Sequence, residues 1–316
     1  MNITSDSSAD EWHKGSLNKI ALWSFYSAVN ISGAILCLIV IYAVYKLPRR
    51  NTGDVLITSL CWGCFMMSAT CGLQCFLNIA RGWDYFSWGS LACKFEAFAH
   101  ISSVMLQFFS LTAIALHSYI SVAHKINISV RKSLILVSIL ITASCSGTLI
   151  SSIFSEIYLM PTGTYCLFKL NSPTILFWFI PIMIIALIIN IWCYISLFCL
   201  TRRIVVTTYR WFGPPSLATE VIEHMVSQDV SIELARKSIV YIAVFFVGWG
   251  AAIPLTFYEL ASFSSDKTGQ IFDIALAVPG SIHSIAVPIA YGYMNPRIKN
   301  TIICRKGSDS STVSPI

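Results

Sequence analysis

Apolar residues in this chain run in long blocks separated by short polar and charged stretches. Seven blocks are long enough to cross a bilayer, for which about 20 helical residues suffice at about 1.5 Å each. They run from Ile20 to Tyr45, Val55 to Ile79, Ala92 to Val122, Leu134 to Ile153, Ile175 to Leu200, Ser238 to Ala261 and Ile271 to Tyr293. The seventh is the least uniform, and its Pro and Gly are tolerated if neighbouring helices satisfy the backbone. No regular series of ten-residue alternating segments marks a membrane barrel. A soluble bundle would need a water-facing side that these blocks lack. The pattern therefore predicts an all-α membrane protein, a seven-transmembrane helix bundle over 20–294. Segment 1–19 precedes it, and a juxtamembrane helix opened by Asn295 and Pro296 leads into a tail over 295–316.

Composition agrees with the pattern. Of the 316 residues 56% are hydrophobic and 11% charged, where a soluble domain carries about 25% charged residues. A cytosolic enzyme and a free nucleic-acid-binding domain are thereby excluded, and 19 Phe, 13 Tyr and 9 Trp exclude a disordered chain. The net charge of +6 sits in short clusters between spans and forms no basic groove, so no nucleic-acid partner is expected.

Those clusters orient the chain. With the N-terminus outside, the inner segments hold 15 of the 21 basic residues and six acids, a net +9 against −3 for the remainder. The C-terminus is therefore expected in the cytoplasm and the N-terminal segment outside the cell. The acidic, polar start shows no basic leader, so a cleaved signal peptide is not expected. The glycosylation acceptor at Asn2 then faces outward, whereas Asn127 lies in an inner loop and Asn30 deep in the first span. Arg202, Arg203, Arg210, Arg236 and Lys237 form an inner surface suited to a partner or to anionic membrane lipids. Cys304, which follows Thr301, Ile302 and Ile303 and precedes Arg305 and Lys306, is a palmitoylation candidate, and the serine-rich tail after it can accept phosphate.

Eight of the 11 cysteines lie inside apolar runs and read as small hydrophobes. Cys93 and Cys166 instead border segments on the same, outer side, and are a candidate pair. Ionisable and polar groups inside spans need a partner, water or a ligand. Glu96 and His100 share one face of the third span, Gln107 lies two turns deeper, Glu259 is in the sixth and His283 in the seventh. All five are ligand-binding candidates. Pairing of Glu96 with Lys94, Arg81 or a neighbouring helix competes with that use, and a packed, hydrogen-bonded role competes for His283. The spacing of His100, His117 and His283 carries no metal signature, and no cofactor is expected.

An outside N-terminus, seven spans, an outer cysteine pair and a basic inner surface together resemble a G-protein-coupled receptor. Cys93 and Cys166 match the disulfide that ties the third helix to the second outer loop in rhodopsin-like receptors. In FFVGWGAAIP, Phe245 and Trp249 stand where that family carries an aromatic pair, with Trp249 beneath the ligand cavity, although Ala251 replaces the family proline. Pro288 and Tyr291 match the family's NPxxY element, with Val287 in place of its asparagine. The closing Asn-Pro and the sixth span are also similar to the cyclic-AMP receptors of social amoebae. Where rhodopsin-like receptors carry an acid, an arginine and a tyrosine, this chain has His117, Ser118 and Tyr119. Ser118 has neither the charge nor the reach of an arginine. Ser281 takes the position of the retinal-binding lysine of opsins, so a Schiff-base chromophore is excluded.

The resemblance implies a plasma-membrane receptor without enzymatic activity. It would pass an extracellular ligand signal to a heterotrimeric G protein, with an arrestin-like regulator as a further partner. His117, Ser118, Tyr119, Phe245, Trp249, Pro288 and Tyr291 would carry activation and coupling. The departure at Ser118 leaves open an atypical seven-helix receptor without ordinary G-protein coupling. A small-solute transporter would show paired broken helices or related halves, and a membrane enzyme a converging set of catalytic groups; neither is evident.

Overall fold

The computed structural model describes residues 16–81, 90–126, 128–160, 162–168, 175–212 and 269–303, with 240, 243, 244, 246, 248–250 and 254 from the sixth predicted span. The chain is a mostly α, membrane-spanning bundle. Helices α1 (Ser16–Lys46), α2 (Thr52–Arg81), α3 (Leu91–Ala123) and α4 (Val130–Phe154) come first. A hairpin of β1 (Ile157–Leu159) and β2 (Cys166–Phe168) follows, then α5 (Ile180–Phe212), α6 (Gly269–Met294) and the short α7 (Pro296–Ile302). Six of the described helices are long and apolar enough to cross a membrane. The hairpin corrects the all-α expectation. Its strands are three residues each, too short to leave a periodic signal, and depend on contacts distant in sequence.

The spans are apolar on both sides. Inside, Leu56, Leu60, Met105, Phe108 and Tyr291 are fully enclosed. Outside, α4 exposes Ile135, Ile139, Leu149 and Ile153, and α5 exposes Ile185, Ile188, Trp192 and Ile195. A surface of this kind requires lipid as its solvent. Hydroxyls on the outward side of α4 stay satisfied there, because Ser138 and Thr142 donate to the carbonyls of Leu134 and Ser138 one turn back, at 3.0 and 2.9 Å.

Polar pairs join the helices within the bundle. Ser59 on α2 meets Ser110 on α3 at 2.5 Å, and Asn190 on α5 donates to Thr112 on α3 at 2.9 Å. Pro279 and Pro288 lie inside α6. Lacking an N–H, Pro288 leaves the Ser284 carbonyl without its helical donor. The Cys37 thiol of α1 points at that oxygen from 3.8 Å, and neighbouring helices can thereby carry a proline within a span.

Close approach also governs the sixth span. A Cβ added at Gly248 would lie 2.5 Å from the Cβ and 2.6 Å from the Nδ1 of His283. Gly248→Ala must therefore push the sixth span from α6, and overpacking of this kind costs about 1–3 kcal/mol. Thermal unfolding in detergent checks this, the expected result being a melting point several degrees below that of the parent.

At the predicted inner end, Asn51 and Asp54 cap α2 reciprocally. Asp54 N–H donates to Asn51 Oδ1 at 2.8 Å, and Asn51 N–H donates to Asp54 Oδ2 at 2.9 Å. The buried Asp54 carboxylate also pairs with Arg297 of α7 at 3.4 Å, and Asn295 in turn caps α7 through Arg297 N–H at 3.2 Å. Asp54→Ala removes a cap and strips Arg297 of its carboxylate partner, leaving its bond to the Arg49 carbonyl, at a cost of about 1–3 kcal/mol. Hydrogen exchange across residues 295–302 should accelerate in that variant, while exchange in α3 stays unchanged.

Candidate functional site

The hairpin between α4 and α5 builds the roof of the site. Ile157, Tyr158 and Leu159 pair antiparallel with Phe168, Leu167 and Cys166. A disulfide joins Cys166 to Cys93 in the first turn of α3, where Ser90 caps the helix by accepting from Cys93 N–H at 3.1 Å. Between the strands the chain turns tightly, with Gly163 at φ 70°, a conformation that favours glycine. Met160 N–H donates to Tyr165 O at 3.0 Å and Gly163 N–H to Met160 O at 2.7 Å.

This turn is buried, which loops seldom are, because their backbone needs partners. Three helices supply them. Trp23 of α1 donates its indole N–H to Thr162 O at 2.9 Å. Gln74 and Asn78 of α2 both donate to Gly163 O, at 3.3 and 2.7 Å. Asp273 of α6, fully buried, accepts from Thr162 N–H at 2.9 Å and also from the Thr162 hydroxyl. The roof is thus clamped to α1, α2 and α6 and covalently tied to α3.

Below it lies a cavity of about 70 Å³, room for roughly five waters at about 15 Å³ of probe-occupied space each. Thr164, Tyr165 and Leu167 close it above, and Trp249 lies in its lining together with Met67, Ile101, Val104 and Met183. Besides Thr164, Tyr165 and Trp249, its polar groups are Tyr26, Asn30, His100 and Ser281, with the thiols Cys71 and Cys75. Asn30 Nδ2 donates to Ser281 Oγ at 3.1 Å. Such a lining suits a small, largely apolar ligand oriented by one or two hydrogen bonds.

Only part of the sequence-predicted set meets at this cavity. His100 and Trp249 line it. Glu96 sits behind the wall, its Oε2 accepting the backbone N–H of Cys166 at 2.5 Å and its Oε1 4.0 Å from His100 Nδ1. Gln107 is buried below, donating to Met67 Sδ at 3.4 Å, and is not in the lining. His283 packs beside Trp249 at 5.9 Å between ring centroids, with Nδ1 3.3 Å from Val244 O. Phe108 meets Trp249 from α3 at 5.3 Å. Glu259, Phe245, Asn2 and Cys304 lie outside the described residues.

Three of the predicted coupling residues lie at the opposite end of α3. His117, Ser118 and Tyr119 are half-buried in its last turns, where the Tyr119 ring packs on Trp192 of α5 at 4.9 Å and on His124 at 5.8 Å. Pro288 and Tyr291 are buried on α6. Sequence reasoning missed Asp273, Asn30 and the roof residues Thr164 and Tyr165. For Asp273 a signal existed, since an ionisable residue inside an apolar run asks for a named partner.

Comparison with known proteins bears on the whole arrangement. Residues 33–291 match the profile of the 7 transmembrane receptor (rhodopsin family). The Substance-P receptor of Aquarana catesbeiana is 29% identical over 160 residues, covering 49% of this chain and 38% of that receptor. The chain thus aligns with well under half the length of that relative. The crystal structure of squid rhodopsin superposes with a TM-score of 0.75 over 92% of this chain and 85% of that one, at 19% identity. That likeness is one of fold.

Proposed function

The chain belongs to the rhodopsin family of seven-transmembrane receptors, and from that premise we propose that it carries an extracellular ligand signal across the plasma membrane to a heterotrimeric G protein. As a member of that family it is a multi-pass membrane receptor and not an enzyme. The observation that carries the reading is the cavity with Trp249 in its lining and a disulfide-anchored hairpin above it. In this reading segment 1–19 is extracellular and glycosylated at Asn2, and 295–316 is cytoplasmic with Cys304 palmitoylated. A ligand among the outer halves stabilises one of two pre-existing arrangements of the bundle. Its contacts run from His100 and Trp249 at the wall to Glu96, Gln107, Glu259 and His283 around them. Trp249, against Phe108 and His283, passes the change to Phe245, Pro288 and Tyr291, and the inner end of α3 with His117, Ser118 and Tyr119 meets the G protein or an arrestin-like regulator.

One observation favours a second reading. Ser118 supplies no cation where the rhodopsin-like pattern has an arginine, and Tyr119 is engaged with Trp192. In this second reading the chain is an atypical seven-helix receptor without ordinary G-protein coupling, with an arrestin-like regulator as its partner. A screen of small, largely apolar compounds with recruitment readouts for several G proteins and for arrestin separates the two. The first reading expects saturable G-protein recruitment that Trp249→Ala reduces at least tenfold. Arrestin recruitment with silent G proteins supports the second, and cavity-binding compounds that recruit neither overturn both.

A further inference from the structure

We propose that Cys71, Glu96 and His100 form a zinc-binding site in the wall of the outer cavity. Cys71 lies on α2, and Glu96 and His100 lie one turn apart on α3, facing it. Cys71 Sγ is 3.2 Å from His100 Nδ1, and His100 Nδ1 is 4.0 Å from Glu96 Oε1. One donor atom from each residue falls within 4.8 Å of the other two. Around a tetrahedral zinc ion, with the usual bond lengths, sulfur and nitrogen stand about 3.5 Å apart and nitrogen and oxygen about 3.3 Å apart. The sulfur–nitrogen spacing is about 0.3 Å under its value and the nitrogen–oxygen spacing about 0.7 Å over its value, so side-chain shifts of up to about 1 Å draw all three donors onto one ion.

An independent observation points to the same ligand. Glu96 is 4% exposed, yet only its Oε2 is occupied, by the Cys166 N–H; its Oε1 has no hydrogen-bond partner. That orphan oxygen is the one nearest the imidazole. An ionised carboxylate buried without a full partner is costly, and a divalent cation supplies the partner. A Cys71 thiolate and the Glu96 carboxylate together balance the charge of one zinc ion, with His100 neutral.

The donor set also selects the metal. Thiolate with imidazole disfavours magnesium and calcium, which take all-oxygen sites, and suits zinc. At present the thiol and the imidazole share a hydrogen bond. On binding, the Cys71 proton leaves to solvent, and Sγ–Zn and Nδ1–Zn bonds replace the shared proton. His100 is held for this by stacking on Tyr165 of the roof, at 4.9 Å and 8°. Cys71 and His100 both line the cavity. The fourth coordination position therefore faces the cavity, open to water or to a donor atom of a ligand. The claim rests on this geometry and not on signalling, so ion binding and G-protein coupling can fail separately.

The test uses the full-length receptor, purified in detergent without reductant so that the Cys93–Cys166 bridge stays closed, and titrated with Co²⁺. The expected result is one Co²⁺ per receptor, with thiolate-to-cobalt charge-transfer absorption and the visible bands of a four-coordinate ion, displaced by one equivalent of Zn²⁺. Cys71→Ser should abolish the charge-transfer band, and Glu96→Gln and His100→Ala should each weaken affinity at least tenfold. A Cys145→Ser/Cys199→Ser variant, which removes two exposed thiols, should keep the band. Absence of a saturable band overturns the proposal, as does a band that survives Cys71→Ser or disappears with Cys145 and Cys199. If Cys71→Ser does not fold, Glu96→Gln decides, and unchanged affinity in that variant overturns the site.

Discussion

Cys166→Ser is expected to reduce folded receptor at the cell surface at least tenfold, and Cys93→Ser to match it. The bridge spans 73 residues, and closing a loop of that length removes about 4 kcal/mol of unfolded-state freedom in the chain-entropy description. The loss is local as well. Cys166 N–H is the donor to Glu96, and β2 supplies Leu167 to the cavity roof, so a freed strand opens the cavity and strips a buried carboxylate of its hydrogen bond. Half a bridge is no bridge, and the double variant should therefore be no worse than either single one. Surface labelling with a nonreducing gel measures this directly. Undiminished surface expression of either single variant would contradict the role given to the disulfide.

The second large effect is expected at Asp273. Its carboxylate holds both the N–H and the hydroxyl of Thr162 in a buried turn. Hydrogen bonds to a charged acceptor contribute about 1.5–3 kcal/mol each, and an orphaned buried donor is costly in its own right. Asp273→Ala should accordingly destabilise the receptor by about 3 kcal/mol, with Asp273→Asn intermediate because it keeps one acceptor. Hydrogen exchange gives the specific readout: the amides of residues 162–165 should lose protection while those of α4 keep theirs. Uniform loss across the bundle would mean that Asp273 supports the helices and not the roof.

These residues also mark where sequence reading succeeds and where it stops. The spans are legible because hydrocarbon accepts only a long apolar helix with its backbone satisfied, and that requirement is written locally. Ala92 to Val122 corresponds to α3 within a residue at each end. Cys93 and Cys166 were legible as a pair by side of the membrane and by family resemblance, and the bridge is present.

Contacts across the fold are a different matter. The sequence offers Lys94 and Arg81 as neighbours for Glu96, but its carboxylate accepts from a backbone N–H 70 residues away. No spacing encodes that. Cys71 reads as one more small hydrophobe in an apolar run, and only the packing of α2 on α3 brings it to His100. The roof was hidden for a related reason. Its turn borrows side chains from α1, α2 and α6 to satisfy its backbone, so nothing within the turn itself announces burial.

In the proposed function a ligand under this roof changes what the inner face does. The most direct measurement of that change is nucleotide exchange on a heterotrimeric G protein reconstituted with the full-length receptor in liposomes, with and without compounds recovered from the recruitment screen. Exchange should rise saturably with compound and fall at least tenfold in Trp249→Ala. Solute flux across the same liposomes without any compound-dependent exchange would contradict it.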